Sequence, residues 1–239
     1  MALYTEEGVR ACIRVRDGKR VFYQGPGDRL TPAAKAWLAR EGVEIIGHEQ
    51  RPPQTYNTLF GATLTEKPEH MTHLQGSTLV FKDHPRIAFR GFIDLLEAEI
   101  LLAQQAAQRE SQDRVVSDLQ EILQFVRNFI RCDVLGEPLK EVHLLGLSAA
   151  ELREHSHYPQ KYYDQSHFMP AYTDCSTLLA LNKVRTVVRQ TELAAYRAWR
   201  DADGQVTRPD IILGLNRLSS VFWILMIQVK AGKYNPTTP

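Results

Sequence analysis

The chain has 239 residues, 44% of them hydrophobic and 24% charged, with 29 Lys and Arg against 28 Asp and Glu. This balance excludes a disordered chain, a collagen and a highly charged tail protein. A net charge of +1 gives no global basic excess for nucleic acid, and at about 150 residues per domain the length fits one or two domains.

Cys12, Cys132 and Cys175 are scattered, with no CxxC pair. That argues against a Cys-rich zinc site and a disulfide framework, and fits a reducing cytosol. The start is too polar and acidic for a signal peptide.

In chain order, Ala11–Arg16 reads as a strand, Asp17-Gly18 as a hairpin turn and Lys19–Tyr23 as the return strand. Thr31 is placed to cap a helix with Pro32 at its first position, ending near Glu41 and Gly42. Val43–Ile46 reads as another strand. Residues 1–50 therefore form a small α/β extension. Residues 48–83 contain Pro52, Pro53, Gly61, Pro68 and Gly76 with little periodicity, which predicts a long ordered loop. Its Lys67, His70, His73 and Lys82 favour a functional arm.

From Pro85 onward the pattern is helical. Ile93, Leu96, Ile100 and Ala103 share one face of a first long helix over Ile87–Arg109. Gln112–Cys132 repeats the pattern. A short helix is expected over Ala149–His155, a third long one over Thr173–Trp199, and a fourth from Pro209 to about Lys230. The run Leu213–Val229 is the most apolar, but Asn216, Arg217, Ser219, Ser220 and Gln228 interrupt it, short of the about 20 residues of a membrane span. It reads as a buried helix. The fold class is mainly α, a helical bundle of about five helices with the small N-terminal α/β extension.

Several residues carry candidate chemistry. Arg185, Arg189 and Glu192 share one helical stripe. Two guanidiniums there hold a phosphate chain, or the stripe is a solvated face with an Arg–Glu pair. Asn216 and Arg217 within the apolar helix need partners, from a site or from a network between helices. Lys82 and Arg86 flank an Asp-His-Pro turn in which Asp83 is a candidate helix cap or Lys82 a cation for a triphosphate. The segment with His155, His157, Tyr158, Tyr162, Tyr163, His167, Phe168 and Tyr172 reads as a wall for a flat or macrocyclic ligand, as ordinary packing, or, through His155, His157, Asp164 and His167, as a metal site. GxxxxGK[ST], GxGxxG and GxSxG are absent.

The stretch VFKDHPRIAFRGFIDLLEAEI resembles the segment after the phosphate loop in PduO-type cobalamin adenosyltransferases, typically KDDPRVEAYGTVDELNS. HFMPAYTDCSTLLALNKVRTVVRQTE and LNRLSS resemble that family's FILPGG…ARTVCRRAER and LNRLSD. The ethanolamine-utilisation branch is more similar still. Its KPxxxTHL matches Lys67–Leu74, its RADALGEPL matches Arg131–Leu139, and its RPDILxxLNRLSS matches Arg208–Ser220. The RLTPxA element is shared too, so the resemblance spans nearly the whole chain.

The resemblance implies an enzyme that moves the 5′-deoxyadenosyl group of ATP onto reduced cobalt of cobalamin, using Mg²⁺. Residues 51–83 would be its active-site arm and residues 84–239 its helical-bundle adenosyltransferase domain. By position, Lys67, Thr72, Lys82, Arg189, Glu192 and Asn216 would bind ATP, with Arg189 and Lys82 stabilising the leaving triphosphate. His167, Phe168 and Tyr162 would face the corrinoid, Phe168 or a neighbour excluding the lower axial cobalt ligand. Asp94 and Arg185 would pair, across a subunit contact by family precedent. Partners implied are ATP, the corrinoid, further copies in a homo-oligomer, a flavin-type or other reductase and an adenosylcobalamin-dependent enzyme, with no nucleic acid and no membrane. The location implied is cytoplasmic, with association with a bacterial microcompartment.

Departures are informative. Gln190 and Leu193 replace two family arginines, and Ser220 replaces an aspartate. The TGDxG phosphate loop is absent. Where many ethanolamine-type enzymes carry the cysteines of a metal motif, this chain has Tyr56, Asn57 and Phe60, so no structural zinc or iron is expected. A corrinoid-binding escort without transferase activity and a helical interaction module are the alternatives. Retention of Arg189, Glu192 and Asn216 argues against the escort.

Overall fold

In a computed structural model the chain is described over residues 2–16, 18–47 and 55–234. It divides into two compact units, Met1–Tyr56 with Thr63–Glu66, and Asn57–Ala62 with Lys67–Pro239.

In the first unit, Thr5 caps α1 (Glu6–Cys12) by accepting the Gly8 N–H, and Glu6 and Glu7 complement the helix dipole. Ala11 and Cys12, expected in a strand, are therefore helical. The strand is shorter, β2 (Arg14–Arg16), and pairs antiparallel with β3 (Lys19–Gln24). Asp17 of the expected turn lies outside the described residues. Preceding α1, β1 (Leu3–Tyr4) runs parallel to β4 (Arg29–Leu30), and Thr31 and Pro32 open α2 (Pro32–Arg40) as expected. β5 (Glu44–Gly47) then pairs parallel with β3. A small core of Val9, Phe22, Leu30, Ala34, Trp37, Leu38 and Val43 sits within this unit, which also holds β7 (Thr63–Leu64).

In the second unit, the expected loop is partly a sheet. Its core is a hairpin of β8 (Met71–Gln75) and β9 (Thr78–Phe81) turning at Gly76. Residues Asn57 and Thr58 of β6 (Tyr56–Thr58) pair parallel with β9. The strands bury Met71, Leu74, Leu79 and Val80, an alternation that the Pro and Gly residues around them mask in the sequence.

The bundle follows. Helix α3 (Pro85–Arg109) buries Phe89, Ile93, Leu96, Ile100, Ala103 and Ala107, spaced four and three apart. Asp83 does not cap it; His84 does, its Nδ1 accepting the Arg86 N–H at 3.2 Å. Next, α4 (Asp113–Leu135) ends at Gly136, whose φ of 69° suits glycine. A two-strand ribbon, β10 (His143–Leu144) and β11 (Leu147–Ser148), leads into α5 (Ala149–His157) and a short α6 (Pro159–Tyr163) that the aromatic-rich sequence concealed. The long helices α7 (Ser176–Trp199) and α8 (Pro209–Lys230) complete the unit.

α3 packs against both α4 and α7, α7 against α8, and α5 against α8. By length and composition α8 passes as a membrane-crossing helix, beyond the sequence expectation, yet 61% of that stretch is buried within the protein. It is a core helix of the bundle, packed on α7 and α5. A Cβ on Gly214 would sit 2.6 Å from Leu139 Cδ2 and 3.0 Å from the Phe129 ring, so glycine permits that contact.

Helix α7 begins at Ser176 because Glu110, just beyond α3, is seated on its N-terminus. The carboxylate accepts the N–H of Ser176 at 2.8 Å, the N–H of Thr177 at 3.2 Å, the Thr177 hydroxyl at 2.6 Å and the Ser176 hydroxyl. Burial works against its charge, but these bonds prevail and hold the carboxyl at about 2, below its ordinary 4.5. A depressed folded-state pKa gives stability that is complete above 4.5 and lost as pH falls toward 2. Because Glu110 is partly exposed, Glu110→Gln is expected to cost about 1–2 kcal/mol at pH 7 and clearly less at pH 3. Urea unfolding at both pH values checks this, and an equal loss at each would contradict it.

Candidate active site

Helices α7 and α8 bring their polar stripes together. A cleft of about 500 Å³ is lined by Arg185 and Arg189 of α7, by Asn216, Ser219, Ser220 and Trp223 of α8, by Ser156 and His157 of α5, and by His167–Pro170. A neighbouring cleft of about 340 Å³ shares Arg189 and Asn216 and adds Glu192, Leu193, Tyr196 and Ile212.

The electrostatics are one-sided. Arg185 has a buried Nε without a hydrogen-bond partner, and its Nη2 reaches only the amide oxygen of Asn182 at 3.3 Å. Its guanidinium lies 5.7 Å over the Trp223 ring. Burial, and then the charge of Arg189, lower its pKa, though an arginine stays charged. Among the described residues neither Arg185 nor Arg189 makes an ion pair, and Glu192 is instead bonded by Asn216 Nδ2 at 3.1 Å. Asn216 is oriented in turn by Arg217, whose Nη2 donates to Oδ1 at 2.6 Å. Two adjacent cations without an acid are an anion site in waiting.

The other wall is aromatic. His167 and Phe168 stack on Trp223, with centroids 5.7 and 5.1 Å away and planes 11° and 24° apart. Tyr162 is not part of that wall. It stacks on His155 at 3.7 Å and donates its hydroxyl to Glu154, beside Lys161. Turning it into the cleft would break that set. His157, named in the sequence as part of an aromatic and histidine wall, does line the cleft. Trp223 escaped the sequence reading, although Asn216, Ser219, Ser220 and Trp223 have the spacing of one helix face.

The arm residues stand elsewhere in a single chain. Thr72 is on β8 opposite Val80, Lys67 is exposed with Nζ 3.5 Å from the Met71 carbonyl, and exposed Lys82 follows β9. α3 and α7 run antiparallel, Phe89 packing on Trp199 at 4.7 Å and Thr191 bonding the Phe92 carbonyl at 3.4 Å. Lys82 is therefore at the Trp199 end, and Arg189 lies about 15 Å of helix away from Trp199. Asp94 is exposed on α3, with no ion pair to Arg185 among the described residues.

Such a cleft, on a helical bundle, suits a polyanion lying beside a flat, largely apolar ring. The profile described as cobalamin adenosyltransferase matches residues 62–229, and the chain belongs to that family. It is 32% identical over 247 aligned residues to the corrinoid adenosyltransferase EutT of Escherichia coli K12, covering 93% of this chain and 90% of the relative. The EutT of Salmonella typhimurium is 31% identical over the same shares. Among solved structures, a variant PduO-type ATP:corrinoid adenosyltransferase from Lactobacillus reuteri complexed with cobalamin and ATP has a TM-score of 0.53 at 17% identity, covering 70% of this chain and 92% of that one. A second variant of that enzyme, complexed with ATP, has a TM-score of 0.51 at 18% identity, covering 69% and 92%. These structural likenesses establish the fold.

Proposed function

We propose that this protein transfers the 5′-deoxyadenosyl group of ATP to the reduced cobalt of a corrinoid, forming adenosylcobalamin. The observation that carries the reading is the adjacent Arg185–Arg189 pair, without an ion pair among the described residues, opening onto the Trp223–His167–Phe168 wall. A corrinoid carrier alone has no use for such a pair.

The cobalt supplies an electron pair to C5′ of ATP, the C5′–O bond breaks, and triphosphate leaves with that bond's electrons. No proton is removed, so no general base is needed. Charge grows on the departing oxygen, and fixed cations stabilise that state more than bound ATP. Arg189 and Lys82 take this role, with Asn216 and Glu192 placing the nucleotide. The aromatic wall keeps water from the lower face of cobalt. Among the described residues no three His, Cys, Asp or Glu gather as a metal cage. Mg²⁺ carried with the triphosphate would supply further charge neutralisation, and Glu192 would be the carboxylate that holds it.

The separation of Lys82 from Arg189 within one chain supports a homo-oligomer in which the arm of one subunit completes the cleft of another, with Asp94 meeting a partner's Arg185. Co-expressing Lys82→Ala and Arg189→Ala chains would then restore about a quarter of wild-type activity through mixed sites, although each alone is inactive. No recovery would place both residues in one subunit's site. The resemblance to ethanolamine-utilisation enzymes supports a cytoplasmic setting, with microcompartment association, a flavin-type or other reductase as electron source and an adenosylcobalamin-dependent enzyme as recipient.

A binding experiment separates transferase from escort. Titration with ATP, and competition by inorganic tripolyphosphate, should show a triphosphate site whose affinity for tripolyphosphate Arg189→Ala weakens about tenfold or more. Corrinoid binding without any tripolyphosphate binding would support the escort.

A further inference from the structure

Asp133, in the last turns of α4, is fully buried. A carboxylate in that position must be paired. Arg86 donates Nε to Oδ1 at 2.7 Å and Nη2 to the Asp133 carbonyl at 2.8 Å. Arg90, one helical turn along α3, donates Nε to Oδ2 at 2.6 Å. Its fork continues past the acid: Nη1 reaches the carbonyl of His73 at 3.1 Å and Nη2 that of Leu74 at 2.7 Å.

Those carbonyls lie where the β8–β9 ladder is irregular. Register shifts between His73 and Gln75, and Leu74 has no residue opposite it. Arg90 supplies donors there. One buried acid thus holds a guanidinium whose other nitrogens hold the hairpin. Two cations on one carboxylate also leave a net positive charge at the root of the hairpin.

We propose that Asp133 is a positioning residue: through Arg90 it fixes the β8–β9 hairpin, and with it Thr72 and the following Lys82, in the pose that receives the triphosphate of ATP. The inference rests on the reading of this hairpin as the ATP arm. Arg86 provides an internal contrast, because among the described residues its guanidinium bonds go to Asp133 and not to the β8–β9 carbonyls that Arg90 holds. A lysine at either place keeps the charge and loses the fork.

The test compares wild type, Arg90→Lys, Arg86→Lys and Asp133→Asn by amide hydrogen exchange over residues 71–81 and by steady-state kinetics. Arg90→Lys should speed exchange across the hairpin, raise KM for ATP about tenfold and lower kcat through the misplaced Lys82, with KM for the corrinoid within about twofold. Arg86→Lys should change KM for ATP by less than about threefold. Asp133→Asn should behave as Arg90→Lys does, and the arginine variants decide the matter if Asp133→Asn does not fold. Unchanged hairpin exchange in Arg90→Lys, or equal rises in KM for ATP in both arginine variants, would overturn the proposal. Exchange needs no turnover. A wild type that exchanges as described but makes no adenosylcobalamin would sink the ATP-arm reading and the proposed purpose, leaving only the mechanical clamp.

Discussion

Arg189→Ala is expected to lower kcat/KM for ATP by about 100-fold or more, equivalent to about 2.7 kcal/mol of transition-state stabilisation. The side chain is exposed and lines both clefts. Its loss should therefore cost less than about 0.5 kcal/mol of folding stability. Arg189 acts where the triphosphate gathers charge, so kcat should carry most of the loss. Lysine restores a point charge but not the paired donors, and Arg189→Lys should recover only part of the rate. Steady-state kinetics with ATP varied at saturating reduced cobalamin reads the effect. A fall confined to KM would mean that Arg189 binds ATP and its transition state equally.

The second large effect is expected at Trp223. Its ring is the surface on which His167 and Phe168 stack and over which Arg185 lies. Trp223→Ala should release the His167–Pro170 segment and remove the apolar wall in one step. KM for the corrinoid should rise about tenfold or more, while KM for ATP stays within about threefold. The half-buried ring also contributes to folding, so a stability loss of about 1–3 kcal/mol is expected alongside. Trp223→Phe keeps a stacking face and should recover most of the corrinoid affinity. Equal damage to both KM values would mean that Trp223 supports the cleft as a whole and not its ring side.

The long helices were legible because their apolar residues recur at three and four, as with Ile93, Leu96 and Ile100 in α3. So were Arg185 and Arg189, whose spacing alone puts them on one face. The β8–β9 hairpin was not, because Pro68 and Gly76 dominate a window in which only Met71, Leu74, Leu79 and Val80 are buried. Thr5 outweighed the strand-like Ala11–Arg16 by opening a helix that runs through Cys12. Tyr162 looked like part of an aromatic wall, but its hydroxyl is committed to Glu154. Trp223 was hidden for the opposite reason, since an aromatic in an apolar helix reads as core. The Arg86–Asp133–Arg90 set joins residues more than forty positions apart, and no local pattern signals such a pairing.

The most direct test is an anaerobic assay with ATP, Mg²⁺ and chemically reduced cobalamin, following formation of the light-sensitive adenosylated product by absorbance. Stoichiometric release of triphosphate in parallel fixes which bond breaks. The account predicts multiple turnovers by the wild type and their collapse in Arg189→Ala. Well-folded protein that binds the corrinoid tightly yet forms no adenosylated product would contradict it.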